Sequence, residues 1–200
     1  DEHNKAERLW EKAEAEAIVA RCKGKKAVVE ETTKPARQVA PLLYDLTSLQ
    51  REASNRFGFS ARRTLQLAQA LYERHKALTY PRTDSRFLPN DYLSTVKDTI
   101  KGFSQLSAAK GGAFPMELRP FCDRILDSDW VRPNKRVFDT SKVSDHFAII
   151  PTGQSPPKSL DEAEQKLYDM VLRRFLAVFY PAAEFDVTAR ISRIGEDAFK

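Results

Sequence analysis

Two segments with β character stand at opposite ends of this chain, and helical patterning fills the space between them. Residues 26–32 (KAVVEET) are short and β-branched, which suits a strand. Phe185, Val187, Ala189 and Ile191 alternate with mostly polar residues, the period of a half-buried strand. A helical domain inserted between two pieces of a strand-containing domain explains that order. The expected fold class is mainly α with a minor β part.

The helices announce themselves through caps and stripes. Residues 5–22 are rich in Ala and Glu, with Gly24 as the stop. Residues 33–41 hold two prolines and read as a linker between domains. Asp45 or Thr47 caps a helix that runs to Phe57 and ends at Gly58. Ser60 caps the next helix, with Leu65, Ala68, Leu71 and Tyr72 on one face. This helix–Gly58–helix pair has the compact turn of helix-turn-helix modules. Another helix opens at Asn90, with Leu93, Val96, Ile100 and Phe103 as its apolar stripe. Residues 104–155 are irregular, apart from one short helix at 116–127. Residues 159–162 (SLDE) form a capping box before a long helix to Phe179, which Pro181 ends.

Composition narrows the class of protein. At 200 residues the chain can bury roughly 70% of the surface its unfolded form exposes. With 42% hydrophobic and 30% charged residues it is globular rather than disordered. No apolar run approaches the ~18 residues of a membrane helix. Cys22 and Cys122 are isolated, which excludes a disulfide framework and a multi-cysteine zinc site and fits a reducing cytosol. The net charge of +5 permits a polyanionic partner. The chain opens on Asp1 with a charged segment lacking an apolar leader core. It ends just after a strand-like run, so it reads as a piece of a longer protein.

Residues 79–85 (TYPRTDS) carry the most chemistry. Pro81 disfavours helix at Tyr80, and an extended backbone through Asp84 points Tyr80, Arg82 and Asp84 to one side. A phenol ionises only near pH ~10 and is a poor nucleophile at neutrality without nearby positive charge. The planar fork of Arg82 supplies that charge and suits two phosphate oxygens. Phosphoryl transfer to tyrosine is thus chemically reasonable. The same residues also suit a plain loop, turned by Pro81 and capped by Asp84 or Ser85. The second candidate is residues 144–152 (SDHFAIIPT), where His146 beside an apolar run could donate to a phosphate or simply serve the fold. His3 and His75 have no partners at ligand spacing, and no HExxH, Walker loop or GxGxxG is present.

Taken together, LYDLTSLQREA at 43–53, FGFS at 57–60, AQALYE at 68–73, LTYPRTDS at 78–85 and HFAIIPT at 146–152 resemble the core of the type IA DNA topoisomerases. The Pro after the tyrosine and the HFAIIPT run resemble the bacterial topoisomerase III branch most. The resemblance implies that Tyr80 attacks single-stranded DNA to form a 5′-phosphotyrosyl link, before strand passage and religation without ATP. It implies that Arg82 stabilises the tyrosinate and holds the phosphate, and that His146 contacts a nearby phosphate. Gln69 and Glu73 match positions that shape nucleotide and DNA contacts, and Thr79, Thr83 and Asp84 form the surround. Residues 42–180 correspond to a winged-helix-like domain bearing the tyrosine. Residues 1–41 and 181–200 correspond to parts of the strand-containing arch domain around the DNA-passage cavity. Mg²⁺ would belong to acidic residues of a Toprim domain outside this sequence, so this segment alone is expected to be inactive. The resemblance further implies a cytoplasmic, nucleoid-associated, monomeric bacterial parent.

Two other readings compete. A noncatalytic helix-turn-helix module would prefer duplex DNA and give Tyr80 no role. A tyrosine recombinase would need a His-x-x-Arg element ahead of a late tyrosine; here Tyr80 comes early, and Ile149 stands three residues after His146.

Overall fold

The computed structural model describes residues 9–106, 112–154 and 160–200. The elements in chain order are α1 (Lys12–Cys22), β1 (Val28–Gln38), α2 (Leu46–Phe57), α3 (Ala61–Glu73), α4 (Leu93–Ser104), α5 (Arg119–Asp127), α6 (Glu162–Ala177), β2 (Ala183–Ile194) and β3 (Asp197–Phe199). The architecture is mainly α with a small antiparallel sheet, as the patterning predicts. It divides into two compact units, Val39–Ala182 and Asp1–Gln38 with Ala183–Lys200.

The helical unit, Val39–Ala182, is built around α6. Nine of its sixteen residues are buried, too many for one stripe, so α6 is the central helix rather than a surface one. Leu167, Val171, Leu172 and Phe175 are fully enclosed together with Leu49, Leu71, Ile100 and Ile125 from the surrounding helices. Each such side chain contributes roughly 1.5–3 kcal/mol by leaving water. Asp45 caps α2, accepting from Ser48 N at 2.6 Å, while Ser48 Oγ accepts from Asp45 N at 3.2 Å. Gly58 ends α2 at φ +68°, a left-handed position, and Ser60 then caps α3. A single 3-10 turn, Asn90–Tyr92, leads into α4, whose stripe buries Val96, Ile100 and Phe103.

The sheet unit has the order β1-β2-β3. β1 and β2 pair antiparallel along their lengths, from Val28 opposite Arg193 to Gln38 opposite Ala183. A tight turn with Gly195 at φ +61° folds β3 back, placing Asp197 opposite Ile194. Arg21 of α1 grips the Asp197 carboxylate through Nε at 2.8 Å and Nη2 at 2.7 Å.

Several sequence expectations need correction. Residues 33–38 continue β1 instead of forming a linker, because an edge strand tolerates Pro35, which has no N–H to donate. The first helix begins at Lys12, not at residue 5; Leu9–Glu11 are not helical, and residues 5–8 lie outside the described residues. The cap of α6 is Asp161, accepting from Glu164 N at 2.7 Å with Glu164 reciprocating, so the box sits two residues later than expected. Ser159 lies outside the described residues. A half-buried strand predicts that its apolar side chains are covered, yet Phe185 and Val187 are 50% and 56% exposed. The alternation in β2 reflects the pleat, not burial. The strand β3 was not anticipated.

Candidate active site

The two chemistry-bearing segments, separated by some sixty residues in sequence, lie side by side. The tyrosine segment leaves α3 and runs antiparallel to residues 146–152. Leu78 bridges Pro151, Thr79 N donates to Ile150 O at 3.0 Å, and Thr152 N donates to Ala77 O at 2.9 Å. The Thr79 hydroxyl completes the clamp, donating to Ala148 O at 3.0 Å and accepting from Ile150 N at 2.9 Å. Farther along, Thr83 Oγ1 donates to His146 O at 2.9 Å, and Leu46 N at the head of α2 donates to Thr83 O at 3.0 Å.

The segment alternates as an extended chain should. Pro81, Thr83 and Ser85 are buried, while Tyr80 is half-buried and Arg82 and Asp84 are exposed. Tyr80 therefore presents to the same side as the guanidinium and the carboxylate. The Asp84 carboxylate is held by the Ser144 hydroxyl, which donates to Oδ1 at 3.0 Å.

Aromatic contacts fix the tyrosine ring. His146 lies against it, with ring centroids 4.3 Å apart and planes inclined by 42°. On its other flank Tyr72 of α3 meets it edge-on, at 5.5 Å and 81°. Arg82 is held from the same helix. A guanidinium offers only donors, so the Gln69 amide must turn its oxygen toward it. In that orientation the Gln69 oxygen accepts from Arg82 Nε at 3.3 Å and Nη2 at 3.1 Å.

The residues singled out from sequence thus fall into groups. Tyr80 meets His146, and Arg82, two residues on, meets Gln69. Thr79 and Thr83 have hydroxyls engaged within the fold, Asp84 holds Ser144, and Glu73 is an exposed residue at the end of α3. Sequence reasoning passed over Tyr72 as a neighbour of Tyr80, and a helical face was the only signal it carried. It also gave His75 nothing, yet the His75 ring meets the buried Glu164 carboxylate at 3.3 Å, where Arg74 also lands. That contact joins the end of α3 to the head of α6. Among the described residues no cluster of three or more His, Cys, Asp or Glu side chains is placed to hold a metal ion. Likewise no described helix is long and apolar enough to cross a membrane.

The arrangement is a half-buried tyrosine with an imidazole against its ring and, two residues on along the chain, an exposed guanidinium. Both neighbours carry N–H donors of the kind that suit phosphate oxygens.

The chain is similar to known proteins along its whole length. The chain matches, over residues 1–200, the family model described as DNA topoisomerase. It is similar to DNA topoisomerase 3 of Bacillus subtilis (strain 168), with 42% identity over 203 residues covering 100% of this chain and 26% of that protein. It is also similar to DNA topoisomerase 3 of Bacillus licheniformis, with 46% identity over 181 residues covering 88% of this chain and 23% of that protein. The chain therefore spans about a quarter of the length of these curated relatives. Among solved structures, full-length topoisomerase I from Thermotoga maritima shares the fold, with a TM-score of 0.57 and 21% identity over 94% of this chain and 28% of that one.

Proposed function

Because the chain belongs to the DNA topoisomerase family, we propose that it is the nucleophile-bearing segment of a bacterial type IA enzyme that changes DNA topology through a 5′-phosphotyrosyl intermediate. The observation that carries this reading is the His146 ring held against Tyr80, in an extended segment whose burial alternates so that Arg82, bonded to Gln69, is turned outward like the tyrosine. Tyr80 Oη attacks the phosphorus of a single-stranded diester. The new bond to phosphorus forms as the bond to the 3′ oxygen breaks, and the 3′ end leaves as a hydroxyl once protonated. Religation reverses the step, so the diester energy is retained and no nucleotide cofactor is required.

Each neighbour has a distinct part. Arg82 pairs its fork with the non-bridging oxygens, whose charge grows in the transition state. Gln69 positions that fork. His146 offers ring N–H donors to an adjacent phosphate. Thr79 and Thr83 hold the two strands in register, and Glu73 and Asp84 border the path of the DNA. The helical unit is read as the winged-helix-like tyrosine domain, and the sheet unit as part of the arch. Mg²⁺ is expected at acidic residues of a Toprim domain outside this sequence, and no step here runs through it.

The test is a covalent-adduct assay with a labelled single-stranded oligonucleotide and Mg²⁺, the intact parent enzyme serving as catalyst. The expected result is a protein–DNA band that disappears in Tyr80→Phe and falls at least about 100-fold in Arg82→Ala, as for removal of one transition-state donor. A band persisting in Tyr80→Phe sinks the assignment. The 200-residue chain alone should give no band under the same conditions; cleavage by it would overturn the view that this segment depends on the rest of the parent.

A further inference from the structure

A polar pocket that Tyr80 does not line opens in the helical unit, between α2, α6 and Arg86 just past the TYPRTDS segment. Its volume is about 380 Å³, and four arginines, Arg51, Arg56, Arg86 and Arg174, line it with one carboxylate, Glu52. Glu52 is already matched. One of its oxygens accepts from Arg56 Nη2 at 2.7 Å and the other from Arg174. Arg174 lies over the Tyr44 ring at 4.3 Å and donates Nη1 to Leu42 O at 2.9 Å, so it is fixed in place. Arg86 is braced through Nε on Leu43 O at 3.1 Å, which leaves the other end of its fork unused by carboxylates. Among the described residues neither Arg51 nor Arg86 makes an ion pair. The pocket thus holds an excess of oriented positive charge.

We propose that this pocket is an auxiliary phosphate site that takes a backbone phosphodiester of the single strand bound at Tyr80. Planar guanidinium forks suit phosphate oxygens. The lining offers no open aromatic face on which a base could stack, since Tyr44 is buried beneath Arg174. Arg86 lies six residues beyond Tyr80, at most ~20 Å along an extended chain, which is within the footprint of one bound strand. The inference rests on the nucleic-acid reading above for the molecule that bears the phosphate, and not on Tyr80 as nucleophile.

The experiment titrates the 200-residue chain with a fluorescein-labelled oligothymidylate over a salt series, with inorganic phosphate and polyglutamate as separate probes. Arg51→Gln should weaken oligonucleotide binding regardless of sequence and reduce the slope of log K against log salt by about 0.7, one single-strand phosphate contact. Arg86→Gln should give a step of the same size. Arg51→Lys should keep the slope. Unchanged slopes in folded Arg51→Gln and Arg86→Gln overturn the site. If Arg86→Gln fails to fold, exposed Arg51 decides alone. Arg51-dependent binding of polyglutamate or inorganic phosphate without the oligonucleotide overturns the nucleic-acid source. A normal Arg51 effect together with a failed adduct assay removes only the nucleophile, so the two readings fail separately.

Discussion

Thr79 is partly buried, and its hydroxyl takes the place of a backbone partner. It accepts from the N–H of buried Ile150, and without it that donor has nothing. Thr79→Val keeps the shape and removes both bonds, so it should cost about 1–3 kcal/mol in urea unfolding. A midpoint equal to wild type would show that the clamp is dispensable. Cys122 gives a pH-dependent counterpart. Burial, with Asp123 adding to it, pushes its thiol up to about 12. The unfolded thiol ionises near ~8.5, so above that pH the unfolded chain binds fewer protons and stability falls. By pH ~10 the loss from this group is about 2 kcal/mol, and Cys122→Ala should show a smaller alkaline decline than wild type. Equal declines would place the effect elsewhere. At this scale the sequence singles out candidate side chains but not which of them meet. Tyr80 and Arg82 stood out because Pro81 imposes an extended backbone, and His146 because a polar group abuts an apolar run. The Gln69–Arg82 contact crosses from a helix to the extended segment after it, and His75–Glu164 joins two helix ends. No periodicity relates such positions.

Elements were legible wherever a cap was local. Asp45, Gly58 and Ser60 lie within a few residues of the backbone groups they satisfy, so α2 and α3 could be delimited from sequence. The same logic misplaced the start of α6, because residues 159–162 and 161–164 both have capping chemistry and only packing chooses between them. Pro35 misled for the opposite reason. A proline ends a helix from within, but in a strand its effect depends on which edge lies free, and that is a property of the sheet. The α2–α3 turn allows a clean test. A Cβ at Gly58 would meet nothing within 4 Å, so the cost of Gly58→Ala is the left-handed backbone alone. That cost should be about 1–2 kcal/mol. A neutral result in thermal or urea unfolding would mean that the turn relaxes. A loss of several kcal/mol would mean that the α2–α3 angle shifts and disturbs the helix leading into Tyr80.

Across the whole chain, burial is distributed unevenly. Every buried apolar residue described falls between Leu43 and Phe179, inside Val39–Ala182, whereas β1 and β2 hold none. Hydrogen exchange should therefore separate the two units, with α6 amides protected to near the global stability and β1 and β2 amides exchanging much sooner. Equal protection would contradict a stability concentrated in the helical unit. Sequence patterning revealed that strands flank a helical insert; the exposure of their apolar side chains was beyond it, because alternation records the pleat and not what lies above it. The pairing of Gln38 with Ala183 has a kinetic corollary. In the logic of a hairpin, everything from Val39 to Ala182 is the loop. If that stretch is still a random coil, zipping β1 onto β2 means closing a very long loop for a few exposed backbone bonds. Once the helices have condensed, the two strand ends emerge as neighbours and the penalty is largely gone. The sheet should thus be the last part of the chain to form on refolding and the first to open.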